Sequence, residues 1–195
     1  MDPIVIPTLE TERLRLRAFE RNDFEDYAAL NADPEVMRYV GGTWDRGRSW
    51  RHLAFQIGHW LLRGSGMWVV ERKETGAFVG MVGFSEPEGW PGFELAGRLG
   101  RRWWGHGCAT EAAREALAYA FTVLKKDCVI SLVRPDNRAS IRLVERLGET
   151  VQGRTEILGT EYFVYGMDRA GWRSSLPAPT LPLGNLLPAP VRFLR

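Results

Sequence analysis

Two glycines, Gly105 and Gly107, precede a segment up to Leu124 in which alanines and other apolar residues recur at helical spacing. Glycine permits unusual φ angles and lets a ligand approach the main chain closely. The first amides of a helix have no partner within it, and with the positive end of the helix dipole they bind phosphate. The segment therefore indicates a site for an adenine nucleotide or coenzyme A, while a plain structural turn stays open.

Two familiar nucleotide-binding motifs do not match this turn. The dinucleotide-binding motif needs a third glycine or an alanine three residues further on, and Thr110 holds that place. The phosphate-binding loop of nucleoside triphosphatases needs Gly-Lys-Ser/Thr, which does not follow Gly107. The turn therefore indicates phosphate binding of another class.

Apolar patterns on both sides of the turn predict the elements that position it. Alternation predicts a strand in Thr11 to Phe19, and helical spacing predicts helices after Asp23, from Pro34 and over Arg46 to Arg63. The further predicted elements are strands at 67–72, 78–85, 93–99, 129–133, 149–158 and 161–168, and helices at 107–124 and 137–147. This order predicts an α/β (α+β) fold with a mixed, mostly antiparallel central sheet flanked by helices.

Composition narrows the class of protein. The 195 residues suit one domain with a tail, and 45% hydrophobic residues allow a sizeable core. A net charge of +2 does not argue for a nucleic-acid or membrane partner. Cys108, Cys128 and the three histidines lack a metal-binding spacing, so no metal is predicted. Without a membrane-spanning run or a signal peptide, we expect a cytoplasmic protein.

The composition changes after Arg173 to prolines and leucines without periodicity. We therefore predict a domain over residues 1–173 and a Pro/Leu-rich C-terminal tail over residues 174–195. The tail is either mobile or packs on the domain or on a second subunit, which leaves a homodimer open.

Four segments together resemble the GNAT N-acetyltransferases, and within them the ribosomal-protein N-terminal acetyltransferase branch. They are TERLRLRAFERND (Thr11 to Asp23), DPEVMRYV (Asp33 to Val40), ELAGRLGRRWWGHGCATEA (Glu94 to Ala112) and PDNRASIRLVERLG (Pro135 to Gly148). The resemblance extends over about Thr8 to Asp168. It implies a single GNAT-like domain and an acyltransferase that uses acetyl-CoA as a co-substrate, with no metal.

The pyrophosphate motif of the resembled family is Gln or Arg, two residues, Gly, one residue, and Gly or Ala. Trp104, Gly107 and Ala109 match its places, although Trp104 departs from Gln or Arg, and a register from Arg102 also fits as a string. The resemblance implies that main-chain amides hold the phosphates, that the end of the preceding strand pairs with pantetheine, and that Asn137 bonds the cofactor besides capping a helix. The implied cofactor-binding residues are Gly97, Arg98, Leu99, Trp104, Gly105, His106, Gly107, Cys108, Ala109, Thr110 and Asn137.

N-acetylation needs a neutral amine beside the thioester carbonyl, so a general base is expected. Glu94 lies in an apolar strand and matches a glutamate of the resembled branch, so it is the candidate base unless it simply faces solvent. Burial would raise its pKa toward neutrality. The place of the superfamily's acidic tyrosine is held by Val144, and the resemblance suggests Ser140 as its replacement, with a structural helix serine as the alternative.

The acceptor site is expected between the N-terminal helices and the last hairpin. The candidate substrate-binding residues are Trp44, Trp50 and Tyr162, with Arg46 and Tyr165 as further wall residues. The acceptor itself, a protein N-terminus or a small-molecule amine, is left open. The missing helix tyrosine also keeps open a non-catalytic acyl-CoA-binding or sensing module.

Overall fold

The structure is a computed structural model, and it describes residues 5–175. The strands are β1 (Leu9–Glu10), β2 (Leu14–Arg17), β3 (Met67–Arg72), β4 (Phe78–Ser85), β5 (Glu94–Leu99), β6 (Cys128–Val133), β7 (Thr150–Ile157) and β8 (Thr160–Asp168). The helices are α1 (Phe24–Ala32), α2 (Pro34–Met37), α3 (Arg46–Arg63), α4 (Cys108–Thr122), α5 (Arg138–Leu147) and α6 (Arg169–Ser175). None of the described helices is long and apolar enough to cross a membrane.

The strands form one mixed sheet in the order β1-β2-β3-β4-β5-β6-β8-β7. Every neighbouring pair is antiparallel except β5 and β6, which are parallel. This parallel pair is held at Glu94 and Ile130, where the Ile130 amide donates to the Phe93 carbonyl at 2.9 Å. Beyond that point the ladder stops, so the two strands leave an opening in the middle of the sheet.

The two faces of the sheet are covered by different helices. On one face, the small residues Ala112, Ala116 and Ala120 let α4 pack closely on Trp68 and Phe84. On the other face, α1 and α3 cover a second core that includes Tyr27 and Met81. A third cluster fixes α5 against β6 and β8 through Val133, Ile141, Val144 and Tyr165. The opening between β5 and β6 therefore lies in a sheet that is covered by α4 on one face and by α1 and α3 on the other.

The first predicted strand is shorter than expected. The Thr11 amide donates to the Leu14 carbonyl at 2.9 Å, and the Thr11 hydroxyl oxygen accepts from the Leu14 amide at 2.9 Å, which turns the chain before β2 begins. The residues before this turn form the short strand β1, which the alternation did not predict. Side-chain capping at a turn leaves no period in the sequence, and this explains the difference.

The predicted domain boundary at Arg173 falls inside α6, a helix that the sequence analysis did not predict. The Trp172 ring of α6 stacks on Phe121 of α4, with ring centroids 5.3 Å apart. Residues 176–195, which make up most of the predicted tail, lie outside the described residues. The division into domain and tail stays a prediction.

Candidate active site

The glycine turn adopts a conformation that requires its glycines. After one turn of 3-10 helix at Arg101–Trp103, the chain turns and α4 begins at Cys108. Gly105 has φ 78° and Gly107 has φ 79°, in the left-handed region that other residues rarely adopt. A Cβ on Gly107 would also lie 3.3 Å from a guanidinium nitrogen of Arg13.

The turn presents a row of unpaired main-chain donors. Within residues 5–175, no group accepts a hydrogen bond from the amides of Gly105 to Thr110, whereas the next amide, Glu111, donates to the Gly107 carbonyl at 3.0 Å. These amides lie at the positive end of α4, the helix dipole of which favours a negative charge there. The predicted phosphate-binding turn is therefore geometrically suited to an anion.

Three side chains hold this turn in place. Arg13 donates to the His106 carbonyl at 3.0 Å and to Glu111 Oε2 at 2.7 Å, so it joins the turn to the first turn of α4. The Trp104 indole donates to the Leu99 carbonyl at 2.8 Å, which ties the turn to the end of β5. The sequence analysis missed Arg13, because its place among alternating arginines indicated only a solvent-facing strand position.

A cavity of about 290 Å³ lies beside the turn. Its basic lining residues are Arg13, Arg72, Arg102 and His106, and Glu74 also contributes. Arg102 uses one nitrogen to donate to the Phe78 carbonyl at 3.2 Å, and Arg72 pairs with Glu74 at 3.5 Å. The cavity therefore has a surplus of positive charge, which favours phosphate groups.

One edge of β5 is open beyond Glu94. Gly97, Arg98 and Leu99 pair with β4 on the other edge, and Gly97 is exposed. A Cβ on Gly97 would lie 2.6 Å from the Met81 carbonyl oxygen, so only glycine fits here without a shift of the main chain. Apart from the Leu99 carbonyl, which accepts from the Trp104 indole, the main chain of this edge is available to an extended ligand within the described residues.

Glu94 lies where β5 and β6 separate, and it is buried, with 8% of its surface exposed. Trp90 Nε1 donates to its Oε2 at 2.7 Å, and the Leu132 amide donates to its carboxylate. Burial raises the pKa of Glu94 to about 7, against the opposing effect of these two hydrogen bonds. A carboxyl with such a pKa exchanges a proton readily at neutral pH.

A second buried carboxyl, Glu149, lies close to Glu94, and the sequence analysis missed it. Ser131 Oγ lies 3.0 Å from Glu149 Oε1 and 3.3 Å from the Leu95 carbonyl oxygen. Burial raises the pKa of Glu149 to about 7, and the charge of Glu94 adds to this rise. In the sequence, Glu149 is the first residue of a predicted strand, and this position does not reveal the side of the sheet on which its carboxyl lies.

The β6 side of the opening carries Asn137 and Ser140. The Asn137 side-chain oxygen accepts from the Ser140 amide at 3.1 Å, which confirms its part as the N-cap of α5. The side-chain nitrogen of Asn137 has no partner among residues 5–175, so it can donate to a ligand. Ser140 is partly buried in the first turn of α5, and Val144 is buried in the third cluster.

The three predicted substrate-binding residues lie in different parts of the fold: Trp44 before α3, Trp50 on α3 and Tyr162 on β8. Trp44 is buried beside Arg98 of β5, with 4.9 Å from the guanidinium carbon to the centre of the indole ring. Trp50 lies on α3 with 60% of its surface exposed, and Tyr162 lies on β8. Neither ring contacts an aromatic ring within the described part of the chain. The Arg98 side chain lies against α1, whereas the predicted cofactor contact of this residue is through its main chain and stays a prediction.

An acetyltransferase (GNAT) domain matches residues 13–150 of the chain. The chain belongs to the GNAT acetyltransferase family. The match includes β5, the glycine turn, α4 and α5, and it confirms the family predicted from the sequence. The chain is therefore an acyltransferase of the N-acetyltransferase class, as the names of its relatives also indicate.

Relatives and solved structures agree with this assignment. The GNAT chain is 33% identical over 150 residues to an uncharacterized N-acetyltransferase, p20, from Bacillus licheniformis, covering 75% of this chain and 84% of the relative. It is 32% identical to the acetyltransferase from Agrobacterium tumefaciens, with a TM-score of 0.77 over 86% of this chain and 97% of the other. It also shares the fold of a spermidine N-acetyltransferase from Vibrio cholerae in complex with CoA and spermine, at 21% identity and a TM-score of 0.69, over 84% and 99% of the chains.

Proposed function

We propose that this GNAT protein transfers the acetyl group of acetyl-CoA to a primary amine, by direct attack of the amine in a ternary complex. The observation that carries the proposal is the row of unpaired amides from Gly105 to Thr110, next to the open edge of β5. Family membership adds the type of reaction.

The residues around the opening suit the parts of acetyl-CoA. The amides of the turn would bind the diphosphate, and the nearby arginines would add charge. The main chain of Gly97 to Leu99 would pair with the pantetheine amides, and Asn137 would donate from the other side of the opening. The bound acetyl-CoA supplies an activated acetyl thioester.

Glu94 would remove the proton from the acceptor amine. It lies at the point where the strands separate, and with a pKa of about 7 it is partly ionised at neutral pH. The Trp90 indole and the Leu132 amide hold its orientation. Replacement of Glu94 by Gln keeps its shape but removes the base, so we expect kcat to fall roughly a hundredfold to ten-thousandfold.

Thiol release from acetyl-CoA with a panel of primary amines tests the reaction, and calorimetry tests cofactor binding. We expect the wild type to release thiol, Glu94→Gln to bind acetyl-CoA but to release thiol at least about a hundredfold more slowly, and Gly107→Val to lose binding. Gly159→Val is the matched control, because Gly159 also has a positive φ, of 75°, in the remote turn between β7 and β8.

Two results would contradict the proposal. If Gly107→Val is folded and retains the wild-type affinity for acetyl-CoA, the turn does not bind the diphosphate. If acetyl-CoA binds tightly but no amine is acetylated, the chain is an acyl-CoA-binding module. The buried Val144 at the place of the superfamily's tyrosine is the observation that favours this second function.

A further inference from the structure

Arg98 is a largely enclosed cation without an acidic partner. Its Nε donates to Asn31 Oδ1 at 2.9 Å and a terminal nitrogen donates to the Tyr27 hydroxyl at 3.1 Å, so both partners are neutral. No carboxylate within residues 5–175 forms a salt bridge with it. A guanidinium in such surroundings is stabilised by an anion, because desolvation of an unpaired charge is costly.

Two further donors around this guanidinium are buried and unpaired. Asn31 Nδ2 and Trp44 Nε1 have no hydrogen-bond partner among the described residues, although Asn31 is fully buried and Trp44 is 8% exposed. Arg98 donates a hydrogen bond to Asn31 and lies over the Trp44 ring. An indole N–H, an amide NH₂ and a guanidinium can only donate, so they fit a group that only accepts, such as a carboxylate.

The charge around this cluster has the same sign. The guanidinium carbon of Arg48 lies 4.7 Å from the centre of the Trp44 ring. Like Arg98, Arg48 forms no salt bridge in the described part of the chain. Burial, followed by the charges of Arg98 and Arg48, lowers the pKa of His52 to about 3, so His52 is neutral and accepts from Tyr27. Among the acidic groups of the neighbouring elements, Glu25 pairs with Arg46, Asp33 pairs with Arg101, and Asp45 caps α3. The remaining two, Asp26 and Glu35, are exposed and form no salt bridge within residues 5–175.

We propose that Arg98, Asn31 and Trp44 form a carboxylate-binding subsite, so that the acceptor is a primary amine that also bears a carboxylate. The proposal rests on the proposed function. Arg98 and Glu94 lie on the same face of β5, four residues or about 13 Å apart along the strand. A carboxylate on Arg98 therefore directs the rest of a small acceptor along β5 toward the base. The same positive charge disfavours polyamines.

Matched acceptors test this subsite in the full-length protein. We would compare amino acids, including ones with the amine far from the carboxylate, with their carboxamides, and add spermidine as a polycation. We expect kcat/KM with a carboxylate acceptor to exceed that with its carboxamide at least tenfold. Arg98→Met is expected to abolish this ratio, while Arg51→Met, at an exposed arginine of α3, leaves it unchanged.

A second measurement does not need turnover. The indole N–H signals in NMR spectra, with Trp44 assigned by Trp44→Phe, would be followed during titration with N-acetylated amino acids and with their carboxamides. We expect the Trp44 signal to move with the carboxylates alone, and to stay in place in Arg98→Met. Trp44→Phe removes the indole N–H donor and keeps an aromatic ring at this position. It therefore also tests the subsite if Arg98→Met does not fold.

The outcomes separate the two proposals. Thiol release that is equal for acids and carboxamides, without a shift of the Trp44 signal, overturns the subsite and leaves the acetyltransferase intact. A Trp44 shift specific to carboxylates, in a protein that acetylates no amine, supports the subsite and contradicts the reaction. Spermidine turned over faster than every carboxylate acceptor would also overturn the subsite.

Discussion

Two carboxyls, Glu94 and Glu149, share the region where β5 and β6 separate, and Ser131 of β6 connects Glu149 to the Leu95 carbonyl of β5. Ser131 has one hydroxyl proton but lies within hydrogen-bond distance of two acceptors, Glu149 Oε1 and the Leu95 carbonyl. Both contacts of Ser131 are satisfied when Glu149 is protonated, because Glu149 then donates to Ser131 and Ser131 donates to the Leu95 carbonyl. Glu149 Oε2 accepts no hydrogen bond within the described residues. This agrees with a neutral carboxyl, because a buried carboxylate oxygen would need a donor.

Glu149→Gln is expected to stabilise the protein at alkaline pH. The pKa of Glu149 rises from 4.5 in the unfolded chain to about 7 in the folded one, so its ionisation costs stability as the pH rises between these values. Glutamine removes this cost, and at pH 8 we expect a gain on the order of 1–3 kcal/mol in the free energy of unfolding. Urea denaturation at pH 5 and pH 8 measures it, with Glu156→Gln, on the exposed part of β7, as the control. An equal effect at both pH values would contradict the explanation.

The same substitution should change the pH dependence of the reaction. The charge of Glu94 contributes to the raised pKa of Glu149, and since this repulsion is mutual, Glu149 opposes ionisation of Glu94 once it is itself ionised. In Glu149→Gln the acidic limb of kcat/KM should therefore move to lower pH. A purely structural role of Glu149 would change the height of the profile and leave the limb in place.

At the scale of elements, α4 and β2 cooperate to present the glycine turn. Glu111 accepts from the Thr11 hydroxyl at 2.6 Å and from the Arg13 amide at 2.9 Å, while the Arg13 side chain reaches the His106 carbonyl. The start of α4 is thus attached to the segment before β2. The free amides are held in place before the cofactor arrives, which reduces the entropy cost of binding.

Arg13→Met is expected to weaken acetyl-CoA binding about tenfold, because a charge-assisted hydrogen bond to the turn is worth about 1.5–3 kcal/mol and Arg13 is partly exposed. Calorimetry measures the Kd. Arg15→Met is the control, since Arg15 pairs with Glu10 and Glu71, away from the turn. If Arg13 positions the turn, the loss should be equal for CoA and dephospho-CoA. A loss confined to CoA would instead indicate direct contact with the 3′-phosphate.

The elements were more predictable from the sequence than the contacts between them. Period and turn residues placed α3 at its observed bounds, and Gly107 marked the start of α4 to within one residue. The acceptor side was less predictable, because the residue type alone does not distinguish the exposed Trp50 from the buried Trp44. Contacts such as that of Glu149 with Ser131, 18 residues apart, depend on how the sheet is ordered, and no local pattern records this.

At the scale of the whole molecule, the limit of the domain depends on α6. Its Trp172 packs against the main core through Phe121, which is buried on α4, and Ser175 lies beside Gly148 at the end of α5. The predicted boundary at Arg173 followed a change in composition. Composition does not detect a short helix that is anchored by one aromatic ring and by the hydrogen bonds of Arg169 to the Lys125 and Lys126 carbonyls, since its remaining residues are exposed.

Trp172→Ala should therefore lower the free energy of unfolding without affecting the site. Trp172 is partly buried, so we expect a loss of about 1–3 kcal/mol, below the 3–5 kcal/mol typical of a fully buried tryptophan. Urea denaturation measures the loss, and calorimetry with acetyl-CoA should give the wild-type Kd because α6 lies away from the glycine turn. Trp50→Ala, at an exposed tryptophan of α3, controls for the removal of an indole ring. Equal stability of Trp172→Ala and the wild type would place the end of the domain before α6.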